Sequence, residues 1–191
     1  MSIVRDPTEL ETTLTLRDGR RVRVRSIRPE DAAKDRAFFA GLSTESRYMR
    51  FMQHLAELTP KLVQQFTHID PRREMALVAL DGTSEDEVIV AIARYVAATE
   101  RDGETAEFAI VIADAWQRHG LGRALMEMLI GGARGHGLRK LVGGILAVNT
   151  SMRALAAALN FIIDIDPEDG RHVIATLDLV PPRVPLPSGR T

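Results

Sequence analysis

Between Glu107 and Arg123 the chain sets out a single carboxylate, an apolar run, and the series Gln117-Arg118-His119-Gly120-Leu121-Gly122-Arg123. Spaced glycines followed by a helix are a means of holding an anion. The first N–H groups of a helix lack partners within it, the helix dipole is positive at that end, and a residue without a Cβ lets a ligand approach the main chain. Arg118 and Arg123 add fixed positive charge. The ligand this chemistry predicts is a nucleotide-like diphosphate. A glycine-containing strand-to-helix turn with no ligand is the competing reading.

The elements that must position these groups are legible around them. Glu107 to Ile112 is an almost continuous apolar run rich in β-branched residues, which predicts a central strand buried on both faces, with Glu107 its only charge. After a polar break at Asp114, Leu121, Leu125, Met128 and Leu129 recur at helical spacing through Arg134. Two other phosphate loops fail on spacing. No Gly-Lys-Ser/Thr closes a Walker loop, and a Rossmann fingerprint would need glycine where Leu125 stands. Downstream, the paired Gly143-Gly144 inside a predicted strand suggests close approach of a ligand or another backbone. Asn149 opens a further helix as an N-cap at the mouth of the same cleft.

Totals narrow the classes. The 191 residues suit one domain, and 45% hydrophobic with 27% charged content is that of a soluble globular protein. No apolar run approaches the ~20 residues that span a bilayer, and Met1 to Leu16 carries charges where a signal peptide would be apolar, so a cytoplasmic protein without membrane partners is expected. The absence of cysteine excludes disulfides, thiolate metal sites and a cysteine nucleophile, and a net charge of -1 gives no field for nucleic acid. The histidines at 54, 68, 119, 136 and 172 have no pairing at i, i+3 or i+4, so no metal is expected.

Elsewhere, Arg21, Arg23 and Arg25 alternate with apolar residues and predict a strand with a basic, solvated face. Arg28-Pro29-Glu30-Asp31 opens a helix that buries Phe38, Phe39 and Leu42. The segment from Ser43 to Leu55, with Arg47, Tyr48, Arg50 and Phe51, either binds an acceptor or packs on the sheet edge. Thr59-Pro60 starts a short helix, Met75 to Leu80 and Val88 to Val96 read as an antiparallel pair, and Phe161 to Leu179 as a hairpin. Residues 1–13 are expected to be a loose lead-in and the proline-rich 181–191 a mobile tail.

The series Q-x-x-G-x-G after a strand resembles the acetyl-CoA-binding motif of the GNAT superfamily of N-acyltransferases. The order of predicted elements is similar to that fold from about Leu14 to Leu179. The segments IRPED, LSTESRYMRFM, REMALVAL, AEFAIVIADAWQRHGLGRALMEMLI and NTSMRALAAALNF look like the acyltransferase domain of bacterial Pat-type protein lysine acetyltransferases. The resemblance implies a single α/β (α+β) domain over residues 14–180, with a mixed, mostly antiparallel sheet of about seven strands and helices on both faces. It implies acetyl-CoA as co-substrate, held by Ile112, Gln117, Arg118, His119, Gly120, Leu121, Gly122, Arg123 and Asn149, and direct transfer to an amine. The acceptor it implies is a protein lysine, an acyl-CoA synthetase being one candidate partner; a small amine and a non-catalytic acyl-CoA-sensing role are the alternatives. Oligomeric state stays open.

Acyl transfer to an amine needs a base, a stabilised carbonyl oxygen and an exit for the thiolate. Glu107 is the expected base, since enclosure in an apolar strand tunes a carboxylate for proton transfer near neutral pH, and Pat-type enzymes carry a glutamate in the matching segment. Glu74 is the second candidate. Main chain near Ile112 is expected to be freed by a splay of strands, with a bulge there as one means. Where many family members place a tyrosine for the thiolate, this chain has Ala156; Asn160 stands where glycine is usual, and Asp114 where proline is frequent.

Overall fold

The computed structural model describes residues 10–82, 86–98 and 104–180. Its frame is a sheet of eight strands: β1 (Glu11–Thr15), β2 (Arg21–Ser26), β3 (Glu74–Asp81), β4 (Val88–Ala97), β5 (Thr105–Ile112), β6 (Lys140–Leu146), β7 (Ile162–Ile165) and β8 (His172–Asp178). The order across it is β1-β2-β3-β4-β5-β6-β8-β7. Only β5 and β6 run parallel among neighbours. The expected class holds, with one strand more than the sequence suggested: β1 starts at Glu11, inside the stretch read as lead-in. The tail from 181 and the Arg101-Asp102-Gly103 turn lie outside the described residues.

Five helices cover the sheet: α1 (Ala32–Gly41), α2 (Thr44–Phe51), α3 (Pro60–Thr67), α4 (Leu121–Gly135) and α5 (Thr150–Ala158). Strand alternation divides the interior. Val22, Val24, Met75, Leu77, Tyr95 and Phe108 face Leu121, Leu125, Met126 and Leu129 of α4 and Ala156 of α5. Ala76, Val78, Leu80 and Ile89 face Phe38 and Phe39 of α1 and Val63 of α3. Helices therefore lie on both faces, and β3, buried throughout its middle, reads as the unbroken apolar run such a strand needs.

The basic face of β2 is solvated at Arg21, half-buried at Arg23 and buried at Arg25. Arg25 is buried and donates from both terminal nitrogens to Asp31, at 2.7 Å each, while Asp31 also accepts from the Arg28 N–H at 2.8 Å. Arg23 donates to Glu11 at 2.7 Å and makes a two-pronged pair with the buried Glu87. Alternation correctly groups the arginines on one face, but Asp31, from the 3-10 turn that precedes α1, and Glu87 meet that face at Arg25 and Arg23. Buried guanidinium groups persist here because each is matched by a carboxylate with good geometry.

Among the described residues no helix is long and apolar enough to cross a membrane.

Candidate functional site

The parallel ladder between β5 and β6 is short. Thr105, Ala106 and Glu107 pair with Lys140, Leu141 and Val142, and there it ends. Beyond that point β5 continues with β4 as far as Ile112, while β6 continues with β8. The strands therefore part immediately after Glu107. Ala98 N–H donates to Thr105 C=O and Ala113 N–H to Val90 C=O, each at 2.8 Å, so the odd-numbered residues of β5 turn their main-chain groups to β4. Pleat alternation then turns those of Phe108, Ile110 and Ile112 to the side that β6 has left. The splay expected near Ile112 thus begins five residues earlier, and no bulge makes it: β4 and β5 stay in register, the one shift in this region falling between Ala79 and Leu80 of β3.

Side-chain volume marks the point of divergence. A Cβ on Gly143 would lie 2.6 Å from the Phe108 ring, which packs at 5.1 Å on Phe161. The odd glycine pair of β6 is thus explained by side chains: Phe108 over Gly143, and Met52, 3.3 Å from the place of a Cβ, over Gly144. The sequence suggested close approach of a ligand or another backbone; the protein atoms that approach are those of side chains.

Past Ile112 a 3-10 turn (Asp114–Trp116) leads to the loop. Gln117 folds back, its amide donating to Ile112 C=O and to Ser46 Oγ, both at 3.1 Å. Arg118 and Gly120 have φ of 67° and 94°, a conformation that costs glycine nothing. Gly120 is the N-cap of α4, and among the described residues no side chain caps the helix. Its first N–H groups are therefore those of Leu121, Gly122 and Arg123. Arg118 and Arg123 are exposed at this end, Arg123 pairing with Glu127 at 2.9 Å. Gly122 also serves packing: a Cβ there would meet Ile112 Cδ1 at 3.0 Å and Leu155 Cδ2 at 3.3 Å, so its missing side chain lets α4 pack on β5 and α5. His119 sits 2.9 Å from Asp18 Oδ2. Asn149 caps α5, accepting from Met152 N–H at 3.0 Å.

On the other side of β5 stands α2. Asp114 secures it, accepting from Ser43 N–H, Ser43 Oγ and Ser46 Oγ at 3.0, 2.7 and 2.8 Å. Burial works against its charge, yet these hydrogen bonds hold its carboxyl below the usual range. The residue that departs from the family's frequent proline therefore ties the loop to α2. Arg47 donates to the carbonyls of Leu42, Ala56 and Ala40, and Phe51 packs on Phe39 and Phe66. Arg47 and Phe51 thus serve packing, while Tyr48 stacks on His54 at 5.0 Å nearer the surface.

Glu107 is exposed on β5, so the enclosed carboxylate expected from its apolar neighbours is not what the fold makes. Val96, beside it on β4, is exposed as well, so this row of the sheet face is open. Glu74 and Glu107 lie in one cross-strand row on either side of Val96, ~10 Å apart by strand spacing. Glu74 is engaged by Arg94 at 3.1 Å. The same sheet face carries a cavity of about 30 Å³ lined by Asp35, Arg50, Arg94 and aromatic side chains. Desolvation, and then the like charge of Arg94, pushes Arg50 down to about 10. Sequence reasoning missed Asp35, Arg50 and Arg94 as a group, because they come from α1, α2 and β4, and no local spacing links them.

The family model for acetyltransferases of the GNAT family matches residues 20–161, most of the described sheet together with the loop and α4. The chain belongs to that family. It is 39% identical over 165 residues to the acetyltransferase PA5475 of Pseudomonas aeruginosa, covering 86% of this chain and 88% of that one. The GNAT domain of Pat from S. lividans superposes with a TM-score of 0.81 at 29% identity, over 88% of this chain and 96% of that domain. YncA of Salmonella typhimurium, described as a putative acetyltransferase solved with its cofactor acetyl-CoA, shares the fold at a TM-score of 0.62 and 22% identity, over 87% and 98% of the two chains. As a GNAT enzyme the chain is an acetyl-CoA-dependent N-acetyltransferase. Ala156, in the place of the family's tyrosine, is fully buried against the α4 face and carries no proton to give. Asn160 has φ 65°, so it occupies the left-handed position where glycine is usual and where asparagine is the best-tolerated substitute.

Proposed function

We propose that this GNAT enzyme acetylates the side-chain amine of a protein lysine, in the cytoplasm, by direct attack within a ternary complex. The observation that carries the reading is the position of Glu107: an exposed carboxylate at the residue where β5 and β6 separate, one step before the free main chain of β5. The residues fit acetyl-CoA. The uncapped start of α4 with Arg118 and Arg123 would hold its diphosphate, and the main chain of Ile110 and Ile112 would pair with its pantetheine arm. Gln117, already bonded to Ile112 C=O, shapes the passage between them, with His119 on the loop and Asn149 at the start of α5.

Bound acetyl-CoA supplies the activated acyl group as a thioester. Glu107 takes a proton from the acceptor ammonium, and the neutral amine attacks the carbonyl carbon. The N–C bond forms as the C–S bond breaks, while main-chain N–H on β5 steadies the carbonyl oxygen. With Ala156 inert, water relays to the leaving thiolate the second proton, which the attacking nitrogen sheds as the amide forms. A chain without cysteine offers no thiol for an acyl-cysteine intermediate.

Support for a protein acceptor comes from the openness of the Glu107 row and from the likeness to the Pat domain. The cavity under α2 carries two guanidiniums and one carboxylate among apolar side chains, which is not the acid-lined hollow that would select a small cationic amine. The test is release of coenzyme A thiol from acetyl-CoA with a purified acyl-CoA synthetase as acceptor, against a panel of small amines at equal amine concentration. Faster release with the protein, accompanied by acetyl-lysine in it, is expected. Faster release with a small amine would replace this acceptor, and binding without release under either condition would point to a sensing module.

A further inference from the structure

The turn between β1 and β2 lies against the loop before α4. Arg17 N–H donates to His119 C=O at 3.3 Å, and Asp18 Oδ2 meets His119 Nδ1 at 2.9 Å. Arg20 donates to Ala115 C=O at 3.2 Å, and its guanidinium lies 4.0 Å from the centre of the Trp116 ring. Asp18 in turn holds Arg20 at 2.6 Å. The loop is thus bound on one side to α2 through Asp114 and on the other to this turn.

The side chain of Arg17 stands apart from that brace. It runs along Gly120, where a Cβ would lie 3.6 Å from both its Cγ and its Nε and 3.8 Å from its Cδ. Its neighbours Arg20, Arg23 and Arg25 each have an anionic partner, in Asp18, Glu87 and Asp31. The Arg17 guanidinium is exposed and has no hydrogen bond or ion pair among the described residues. The fold therefore brings a cation with no anion of its own among the described residues to the N-cap of a helix that no side chain caps there. Guanidinium is the group best shaped to take two phosphate oxygens at once.

We propose that Arg17 is a phosphate-binding residue of the acetyl-CoA site. The inference rests on the reading of the α4 start as the place of the coenzyme's phosphates. Arg17 precedes the segment, residues 20–161, over which the family model matches, so family membership does not assign it. With Arg118 it would close a cationic rim around the helix start, one member from the loop and one from a turn that the loop grips.

The test is calorimetric binding of acetyl-CoA to the native chain, Arg17→Gln and Arg17→Lys, with steady-state kinetics on each. Arg17→Gln is expected to weaken binding about tenfold, about 1.4 kcal/mol, with the loss falling on KM for acetyl-CoA and not on kcat. Arg17→Lys should recover part of it. The bracing contacts use the Arg17 main chain and the Asp18 and Arg20 side chains, which Arg17→Gln keeps, so a change in Tm is not expected. Repeating the titrations with 3′-dephospho-coenzyme A separates the two sources of phosphate: a loss that persists assigns Arg17 to the diphosphate, and one that vanishes assigns it to the 3′-phosphate. Equal affinity of the native chain and Arg17→Gln for acetyl-CoA would overturn the proposal. A native chain that fails to bind acetyl-CoA would instead remove the reading on which it rests.

Discussion

Glu107→Gln is expected to lower kcat for acetyl transfer at least tenfold, and toward the ~10²- to 10⁴-fold that loss of a positioned general base brings. Acetyl-CoA affinity should be unchanged, since the coenzyme would be held by α4 and by main chain beyond Glu107. Glu107 is exposed and at the end of the short β5–β6 ladder. The amide keeps its size, so stability should stay within the ±0.5 kcal/mol of an ordinary surface change. Coenzyme A release under saturating acetyl-CoA, paired with calorimetric binding, separates the two quantities. Equal turnover in both proteins would remove Glu107 from the chemistry and make Glu74 the next carboxylate to test, despite its pairing with Arg94.

The second large effect concerns stability and pH. Asp35 on α1 is buried, and its Oδ2 has no hydrogen-bond partner among the described residues. Desolvation is the main influence on its carboxyl; Arg94 and Arg50 oppose it, Asp31 adds to it, and the result is pushed up to about 6 from an ordinary 3.8. A carboxyl with a raised pKa is bound by its proton more tightly in the folded than in the unfolded chain. Its contribution is thus most favourable below about pH 4 and is lost as pH rises toward 6 and beyond. Two units correspond to about 3 kcal/mol. Other carboxyls run the opposite way, among them Asp31, held down against burial by Arg25 and the Arg28 N–H, so the total curve does not isolate the effect. The difference curve does. Urea unfolding of Asp35→Asn and the native chain should show the variant gaining on the native protein between about pH 4 and 6, and a constant difference above that. Parallel curves through that range would mean that Asp35 titrates normally.

How much of this was legible in the sequence depends on the range of the interactions. The strand, loop and α4 were readable because their signals are local: β-branched residues, spaced glycines and a helical stripe within one stretch. The β3–β4 pair and the β7–β8 hairpin follow equally from nearby turns. The fate of a face was not readable. Arg23 and Arg25 share one face as alternation requires, but only the fold shows that Asp31 and Glu87 meet them there. Glu107 failed in the opposite sense: apolar neighbours suggested enclosure, whereas it stands exposed in an open row beside Val96. The parting of β6 from β5 is likewise long-range, marked where the Phe108 ring sits against Gly143. The glycine was visible in the sequence; its partner was not. Asn160 shows a local signal that was legible and whose reason is now physical, a left-handed position that asparagine fills in place of glycine.

The central claim is that the gap beside β5 and the start of α4 together form the acetyl-CoA cleft. Amide hydrogen exchange of the native chain, with and without saturating acetyl-CoA, tests it most directly. Slowed exchange is predicted at the amides of Ile110 and Ile112 on β5 and of Leu121, Gly122 and Arg123 on α4, with the β1–β2 turn following the loop it grips. Bound acetyl-CoA that leaves those amides unchanged, or protects a different surface, would contradict the account.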